Sequence, residues 1–385
     1  VQAMAADMQG RIREGFFEEF TFDHLARFSP RELETSGRLT QPLYAGPGDR
    51  SYRAISWDEA LNRVSQRMRE TNPDRSFFYF SGRSSNEAGF LLQLIARLYG
   101  TNNVNNCSYF CHQASGVGLS SVTGSGTATV TLDDLDECDL LFLIGGNPAS
   151  NHPRLMRSLV DLKRRGGRVI VINPMREVGL INFRVPSDVR SLLLGSKIAD
   201  LYLQPHIGGD IALLTGIAKA TIESGAHDTP FLTDHTDGAE DLLRHIGAQP
   251  WDALAHSSGV TEQSMRDAAA MYGDSKRTIF AWTMGITHHA HGVENVQAIA
   301  NLALLRAMVG RPGAGLLPLR GHSNVQGIGS MGVTPALKEQ VCRAIESRFG
   351  VQLPTSPGLD TLACVERASD GAMDLALHLG GNLFG

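Results

Sequence analysis

Short apolar runs recur along the chain and predict the strands of a sheet. Each run consists mainly of aliphatic and aromatic residues, which is typical of parallel strands that are buried on both faces. Loops or helical patterns separate each run from the next. The runs cover residues 76–80, 139–144, 168–172, 201–203 and 278–282.

Helical patterns stand between these runs. A capping box, Ser56-Trp57-Asp58-Glu59, predicts the start of one helix. Further helices are expected after the polar loop 81–86 and from about His152 to Arg165. Strands that alternate with helices in this way indicate an α/β fold with an open, doubly wound parallel sheet. Apolar side chains define one face of the first helix and the core side of the second: Trp57, Ala60, Leu61, Val64 and Met68, and then Ala88, Leu91, Leu92, Ile95 and Leu98.

Most predicted strands lead into a loop rich in Gly, Asn, Asp, Ser or His before the next helix. The carboxyl ends of parallel strands meet at one edge of the sheet, where ligands bind in open α/β folds. Because several of these loops are long and rich in hydrogen-bonding groups, we expect a large, polar ligand. In the loop 147–152, a helix N-terminus would cradle a phosphate, or its polar residues would simply cap the helix.

Composition narrows the class of protein. The chain has 385 residues, of which 42% are hydrophobic and 19% charged, enough for a sizeable core in two or three domains. A formal net charge of −5 argues against a general nucleic-acid-binding protein. No apolar run approaches the roughly 18 residues of a membrane span, and no secretion signal opens the chain. Five cysteines do not make a disulfide scaffold, so we expect a cytoplasmic protein.

Cys111 and His112 are the first candidates for chemistry. A thiolate is a soft ligand suited to a transition metal, and an adjacent imidazole is suited to accepting a proton. The spacing by itself favours a plainer interpretation, a buried thiol beside an ordinary histidine. Cys107 lies four residues earlier, but without a second cysteine pair it is only a weak indication of zinc.

Arg320 ends an apolar segment and stands directly before the polar loop 321–324. A guanidinium delivered in this way would clamp a carboxylate with two hydrogen bonds or join a plain salt bridge, and spacing does not separate the two. His288, His289 and His291 are interpreted as solvated or hydrogen-bonding side chains rather than a metal cluster, because neighbouring histidines in a loop usually diverge.

Together, these strings resemble the molybdopterin oxidoreductases, and among them the catalytic subunits of the formate dehydrogenase type. The resemblance covers roughly residues 35–335, over which the motifs occur in the order and spacing of the family. The chain looks most similar to the branch grouped with acid-resistance-type oxidoreductases. The motifs are Ser81-Gly82-Arg83-Ser84-Ser85-Asn86-Glu87, Cys111-His112 with Gly118-Leu119, Gly146-Asn147-Pro148 with His152-Pro153, Trp282-Thr283-Met284-Gly285-Ile286-Thr287, Gly310-Arg311-Pro312-Gly313-Ala314-Gly315 and Arg320-Gly321-His322-Ser323-Asn324-Val325-Gln326-Gly327.

The resemblance implies a molybdenum or tungsten bis(molybdopterin guanine dinucleotide) cofactor, whose four dithiolene sulfurs hold the metal. Cys111 would be the protein ligand to that metal, His112 would handle a proton, and Arg320 would orient the carboxylate of a formate-like substrate. The implied reaction is a two-electron oxidation to carbon dioxide, with an unknown electron-transfer partner. The implied cofactor-binding residues are Gly146, Asn147, His152, Asn173, Pro174, Arg176, Gly209, Asp210, Met284, Gly285, His288, Gly321, His322, Asn324 and Gln326.

The chain also departs from the family pattern. No cysteine precedes Cys107, so this chain does not support the N-terminal iron–sulfur cluster that the family usually carries. His322 stands where formate dehydrogenases commonly have glutamine, which bears on substrate choice. Because the family's catalytic subunits are longer and this chain begins with Val1, we interpret it as a central fragment.

The expected architecture is two Rossmann-like, doubly wound α/β domains, one inserted in the other. Residues 1–53 would be a remnant of the cluster domain, residues 54–106 and 321–385 the discontinuous domain, and residues 107–320 the inserted cofactor-binding domain. Two other functions stay open, a non-catalytic scaffold of the same fold and a module that binds only guanine dinucleotide. The combination of Cys111-His112 with Arg320 speaks against the scaffold.

Overall fold

The computed structural model describes residues 8–185 and 188–381. Two compact units make up the chain: unit 1 is Val1–Phe78, Leu91–Val104 and Thr334–Leu377, and unit 2 is Tyr79–Phe90, Asn105–Val333 and His378–Gly385. The predicted domain ranges include residues 1–7, 186–187 and 382–385, which lie outside the described residues. The predicted domain boundaries stay a prediction.

Strands and helices alternate along most of the chain. The strands are β1 (Leu43–Tyr44), β2 (Arg53–Ala54), β3 (Ser76–Phe80), β4 (Val104–Asn106), β5 (Leu140–Ile144), β6 (Arg168–Ile172), β7 (Leu201–Leu203), β8 (Thr278–Trp282), β9 (Gly315–Pro318) and β10 (Leu375–Leu379). The α-helices are α1 (Phe16–Glu19), α2 (Phe22–Leu25), α3 (Pro30–Thr35), α4 (Trp57–Glu70), α5 (Asn86–Tyr99), α6 (Ser108–Thr123), α7 (Asp134–Glu137), α8 (Pro148–Asn151), α9 (Pro153–Arg164), α10 (Val178–Ile181), α11 (Val189–Leu194), α12 (Asp210–Glu223), α13 (Thr229–His235), α14 (Ala239–Ala248), α15 (Trp251–Ser258), α16 (Glu262–Asp274), α17 (Met284–Thr287), α18 (Gly292–Leu304), α19 (Val325–Ser330), α20 (Glu339–Phe349) and α21 (Thr361–Ser369).

A five-stranded sheet organises unit 2. Its order is β7-β6-β5-β8-β9, and every neighbouring pair is parallel. Four of these strands, β5 to β8, were predicted from their apolar runs, and those predictions are confirmed. The edge strand β9 was not predicted as a strand, because it begins with Gly315 and ends with Pro318. Proline lacks a backbone N–H and is tolerated at an edge position.

Apolar layers cover both faces of this sheet. Leu140, Phe142 and Ile144 of β5 belong to one buried cluster, together with side chains of α12, α16 and α18. Leu141 and Leu143 of the same strand belong to a second cluster with side chains of α9. Successive side chains of a strand point to opposite faces, so one continuous apolar run fills both layers. The predicted doubly wound α/β fold class is therefore confirmed.

In unit 1, the predicted core side of α5 is wrong at Leu91, Ile95 and Leu98, which are 57%, 45% and 43% exposed. The buried side of the helix carries Leu94 and Ala96 together with Gln93 and Arg97. The Nε of Arg97 donates to Gln93 Oε1 at 2.8 Å, and its Nη2 donates to a backbone carbonyl at 2.7 Å. These bonds satisfy the guanidinium, which allows a polar pair to occupy the buried side of the helix.

The apolar face of α4 is also exposed, with Trp57, Leu61 and Val64 at 67%, 59% and 45%. The helix begins as predicted, because the Ser56 side chain accepts a hydrogen bond from the Glu59 N–H. Among the described residues, no helix is both long and apolar enough to cross a membrane.

Candidate functional site

A cavity of about 330 Å³ lies at the carboxyl ends of β5, β6 and β8 in unit 2. Two glycines bring the loops after β5 and β8 into backbone contact there: the N–H of Gly285 donates to Gly145 O at 3.2 Å. A Cβ on Gly285 would overlap that same carbonyl oxygen. Glycine at this position therefore permits the close approach that shapes the cavity. The cavity, called the first pocket below, is lined by Gly145, Gly146, Asn147, Asn151, Asn173, Pro174, Glu177, His206, Ile207, Asp210, Thr283, Met284, Gly285 and His289.

Asp210 supplies a carboxylate to the first pocket from the first residue of α12. Gly209 precedes it as the N-cap residue of the helix. Asp210 is 6% exposed, and burial raises its pKa, while His289 acts in the opposite direction. The pocket thus contains a carboxylate from which most water has been removed.

A second cavity, of about 460 Å³, lies beside the loop 320–327. Asn324 fastens this loop to the loop after β3: its N–H donates to Gly82 O and its Nδ2 to Ser84 O, both at 2.8 Å. Asn151 lines both cavities, so the two adjoin. This second pocket is lined by Asn151, His152, Arg320, Gly321, His322, Ser323, Asn324, Val325, Gln326 and Gly327.

Cys111 lies in the first half of α6, where the helix is kinked at His112 (φ −136°, ψ 24°). The Cys111 side chain is partly exposed, and its backbone carbonyl accepts a hydrogen bond from Thr287 Oγ1 at 2.7 Å. Its thiol is near enough to Arg320 to act on the pKa of that guanidinium, where it opposes the effect of burial. The fold thus brings together two residues that are far apart in sequence and that motif reasoning had paired.

His112 is 1% exposed, and both of its ring nitrogens have partners inside the protein. Nε2 lies 2.8 Å from Leu319 O, and Nδ1 lies 2.8 Å from Ser115 Oγ. Burial, together with the nearby charge of Arg320, lowers the pKa of His112 to about 4. The imidazole is therefore neutral at pH 7.

Arg320 is a half-buried cation that forms no ion pair within the described residues. Burial lowers its pKa, and its Nε has no hydrogen-bond partner. Its backbone carbonyl accepts from His152 Nε2 at 2.8 Å, while His152 Nδ1 is buried without a partner. The salt bridge that was the competing interpretation of Arg320 is thus not formed among the described residues.

The polar atoms without partners at the two pockets fit a ligand that carries hydrogen-bonding groups of its own. The buried atoms without partners include Asn147 Oδ1, His152 Nδ1 and Arg320 Nε, all at the two pockets. Such an atom costs about 1–3 kcal/mol when no ligand satisfies it. Within the described residues, no group of three or more His, Cys, Asp or Glu side chains could hold a metal. A metal at Cys111 would therefore take its other ligands from a cofactor, as dithiolene sulfurs would allow.

The structure brings most of the predicted site residues together. The first pocket contains Gly146, Asn147, Asn173, Pro174, Asp210, Met284 and Gly285, and the second contains His152, Arg320, Gly321, His322, Asn324 and Gln326. Gly209 is adjacent, as the N-cap residue of α12.

Five predicted residues line neither pocket: Cys111, His112, Arg176, Gly209 and His288. Arg176 lines a separate cavity of about 280 Å³, and His288 is exposed. Sequence reasoning missed Glu177 and His206, which line the first pocket. Both follow the carboxyl end of a sheet strand within a few residues, so the rule that selected the other loops would have found them.

The comparisons with known proteins agree with the motifs. Residues 38–384 match the family described as molybdopterin oxidoreductase. Protein YdeP of Escherichia coli (strain K12) is 39% identical over 385 residues, which is 97% of this chain and 51% of that protein. F420-dependent formate dehydrogenase 2 subunit alpha of Methanococcus maripaludis is 33% identical over 304 residues, 79% of this chain and 42% of that protein. The chain thus spans about half the length of the curated relatives it matches.

A solved structure has a similar fold. Acetylene hydratase from Pelobacter acetylenicus matches with a TM-score of 0.58 and 22% sequence identity, over 73% of this chain and 37% of that chain. The family resemblance predicted from the sequence motifs is confirmed, whereas the branch within the family stays a prediction.

Proposed function

The chain belongs to the molybdopterin oxidoreductase family, and we propose that it carries a molybdenum or tungsten bis(molybdopterin guanine dinucleotide) cofactor and oxidises formate or a related small substrate. The observation that carries the proposal is the half-buried guanidinium of Arg320, which lies near the thiol of Cys111. Among the described residues it has no ion-pair partner, and its buried Nε has no hydrogen-bond partner. When bound, the cofactor would supply a metal centre that accepts two electrons. The other roles fall to residues of the chain itself.

Cys111 would ligate the metal through its thiolate, because a soft sulfur donor suits molybdenum or tungsten. Arg320 would bind the carboxylate of the substrate, since a planar guanidinium matches a carboxylate with two parallel hydrogen bonds. Oxidation of formate gives carbon dioxide, one proton and two electrons. The electrons would pass to a separate electron-transfer partner. We propose a cytoplasmic location for the protein.

The guanine dinucleotide form of the cofactor is supported by Asp210. The Watson–Crick edge of guanine presents two donors, N1–H and N2–H₂, which a carboxylate accepts side by side. Asp210 offers such a carboxylate, 6% exposed, to the first pocket. The second carboxylate of that pocket, Glu177, accepts a hydrogen bond from Asn147 Nδ2 at 2.7 Å. The glycines of the pocket permit a ligand to approach the backbone closely. Asn147 Oδ1, buried and without a partner, adds an acceptor to the same pocket.

Two alternative functions would also use some of these residues. A module that binds guanine dinucleotide alone would need the first pocket but would have no use for Arg320. A non-catalytic scaffold would need neither Cys111 nor Arg320. The partial burial of Arg320 without a counterion among the described residues favours the enzyme over both, because a cation partly removed from water and left without a ligand destabilises the fold.

Metal analysis on the full chain, purified anaerobically, tests the proposal. We expect molybdenum or tungsten with about two guanine nucleotides per chain, the stoichiometry of the proposed bis cofactor. Cys111→Ser should abolish formate oxidation and lower metal retention without removing nucleotide. Cys138→Ser is the matched control: Cys138 is buried away from both pockets, burial raises its pKa to about 11, and metal content should not change.

Nucleotide without metal in the parent protein would favour the binding module. Turnover that persists in Cys111→Ser would remove Cys111 from the metal site. If metal and both nucleotides are present but formate is not oxidised, the substrate assignment fails while the cofactor assignment stands.

A further inference from the structure

A row of buried hydrogen bonds runs from β8 through α6 to the segment that carries Arg320. Trp282 Nε1 donates to Ser115 Oγ at 2.9 Å, Ser115 Oγ lies 2.8 Å from His112 Nδ1, and His112 Nε2 lies 2.8 Å from Leu319 O. All three side chains are at most 1% exposed. The row ends one residue before Arg320.

The two ends of this row fix its direction. An indole N–H can only donate, and a backbone carbonyl can only accept. His112 must therefore carry its proton on Nε2 and donate it to Leu319 O. His112 Nδ1 then accepts from the hydroxyl of Ser115, which itself accepts from Trp282. The neutral imidazole is held in one tautomer, and both nitrogens are used.

The same segment is held at two further points. His152 Nε2 donates to Arg320 O at 2.8 Å, and His322 Nδ1 lies 2.9 Å from Cys107 Sγ. The Leu319 N–H donates to Trp282 O at 2.8 Å. His112 and His152 thus hold the two carbonyls on either side of the Arg320 Cα. The Arg320 Nε has no hydrogen-bond partner among the described residues.

We propose that His112 is a positioning residue that, oriented by Ser115 and Trp282, tethers the Leu319–Arg320 segment and so sets the place of the Arg320 guanidinium. The proposal deepens the proposed function in one respect, since it relies on that function only to give Arg320 a substrate carboxylate to orient.

Two substitutions at His112 separate tethering from proton transfer. His112→Gln keeps an N–H donor near the position of Nε2 and cannot act as an acid or base at neutral pH. His112→Leu removes the donor altogether. Hydrogen exchange of the backbone amides 319–324, followed by mass spectrometry on the full chain, reports the tether without any need for activity.

We expect His112→Leu to speed exchange in this segment about tenfold or more, and His112→Gln to stay within about threefold of the parent. Ser115→Ala, which deprives Nδ1 of its partner, should give an intermediate increase and serves as the second variant if His112→Leu fails to fold. The amides of α14, in the same unit, should exchange alike in every variant.

A second measurement compares the rates of formate oxidation by the same variants. A tether predicts that His112→Gln keeps kcat/KM within about tenfold of the parent, with the loss mainly in KM, while His112→Leu loses about a hundredfold. Equal exchange in all variants, or equal loss of kcat in His112→Gln and His112→Leu, would overturn the proposal. Absence of formate oxidation in the parent would contradict the proposed function alone, because the exchange result would still decide the tether.

Discussion

Asp210 places a carboxylate in the first pocket, from which most water is excluded. The substitution Asp210→Asn tests whether this charge serves to bind a guanine nucleotide. The side chain is 6% exposed, and burial raises its pKa. A raised pKa means that folding disfavours the ionised form. We therefore expect the substitution to stabilise the ligand-free chain at pH 7 and to weaken the binding of a guanine nucleotide.

The expected loss of affinity follows from the hydrogen-bonding groups that asparagine and guanine present to each other. Asparagine offers one acceptor and one donor, so one of its groups would face a guanine donor with a donor of its own. A bidentate contact to a base is worth about 1–3 kcal/mol, or about fivefold to 150-fold in affinity. The asparagine edge complements adenine, so the ratio of GMP to AMP affinity should fall still further.

The effect on stability has a defined pH dependence. Below the unfolded pKa of aspartate, about 3.9, both states are protonated and Asp210 carries no penalty. As the pH rises through that value, the unfolded state ionises first, and the penalty on the folded state grows until Asp210 itself has ionised. The gain from Asp210→Asn should therefore be present at pH 7 and vanish below about pH 4.

Titration calorimetry with GMP, IMP and AMP, together with thermal unfolding at pH 7 and pH 3.5, measures both effects. IMP lacks the 2-amino group of guanine and should bind the parent protein less tightly than GMP. Asp267→Asn, at an exposed position of α16, is the matched control and should change neither quantity. The reasoning is refuted if Asp210→Asn binds GMP as tightly as the parent, or if it lowers the melting temperature at pH 7.

Two further predictions concern the thermal stability of the folded chain. Gly285→Ala should lower the melting temperature because its Cβ would overlap Gly145 O, whereas Gly247→Ala in α14 meets nothing within 4 Å and should raise stability by about 0.5–1 kcal/mol; equal melting temperatures for the two variants would contradict this. The Arg164 guanidinium lowers the pKa of Asp188, so the pair contributes stability above the unfolded pKa that is lost as the pH falls through the folded one. Asp188→Asn should thus lower the melting temperature at pH 7 by more than at pH 3, and a deficit of the same size at both values would disprove it.

The predictable part of the fold rests on local signals. The strands β5, β6 and β8 are uniformly apolar because parallel strands are buried on both faces, and their positions were predicted within a residue. The strand β9 escaped prediction because Gly315 and Pro318 disfavour a strand locally, while pairing with β8 imposes one. At such an edge, local propensity disfavours a strand while pairing with the neighbouring strand favours one. Whether a strand forms therefore depends on the pairing partner.

The helix faces show the same division. The spacing of Leu91, Ile95 and Leu98 defines an apolar stripe on α5, but the spacing does not say which side of the helix the rest of the unit covers. In the structure, the buried side carries Leu94 and Ala96 and also the polar pair Gln93 and Arg97. The pair is tolerated there because Arg97 donates to Gln93 and to a distant backbone carbonyl. An amphipathic pattern predicts a helix more reliably than it predicts the direction of the core.

By itself, the sequence determined the α/β alternation, the loops at the strand ends and the family, because each depends on residues close together in the chain or on motifs in a fixed order. Tertiary structure alone decided what those residues do. It left the half-buried Arg320 without a counterion among the described residues, placed Asp210 in the first pocket, and directed His112 toward a carbonyl 207 residues away. Hydrogen-bond direction and desolvation depend on distances that only the folded chain sets, and chemistry at this site follows from both.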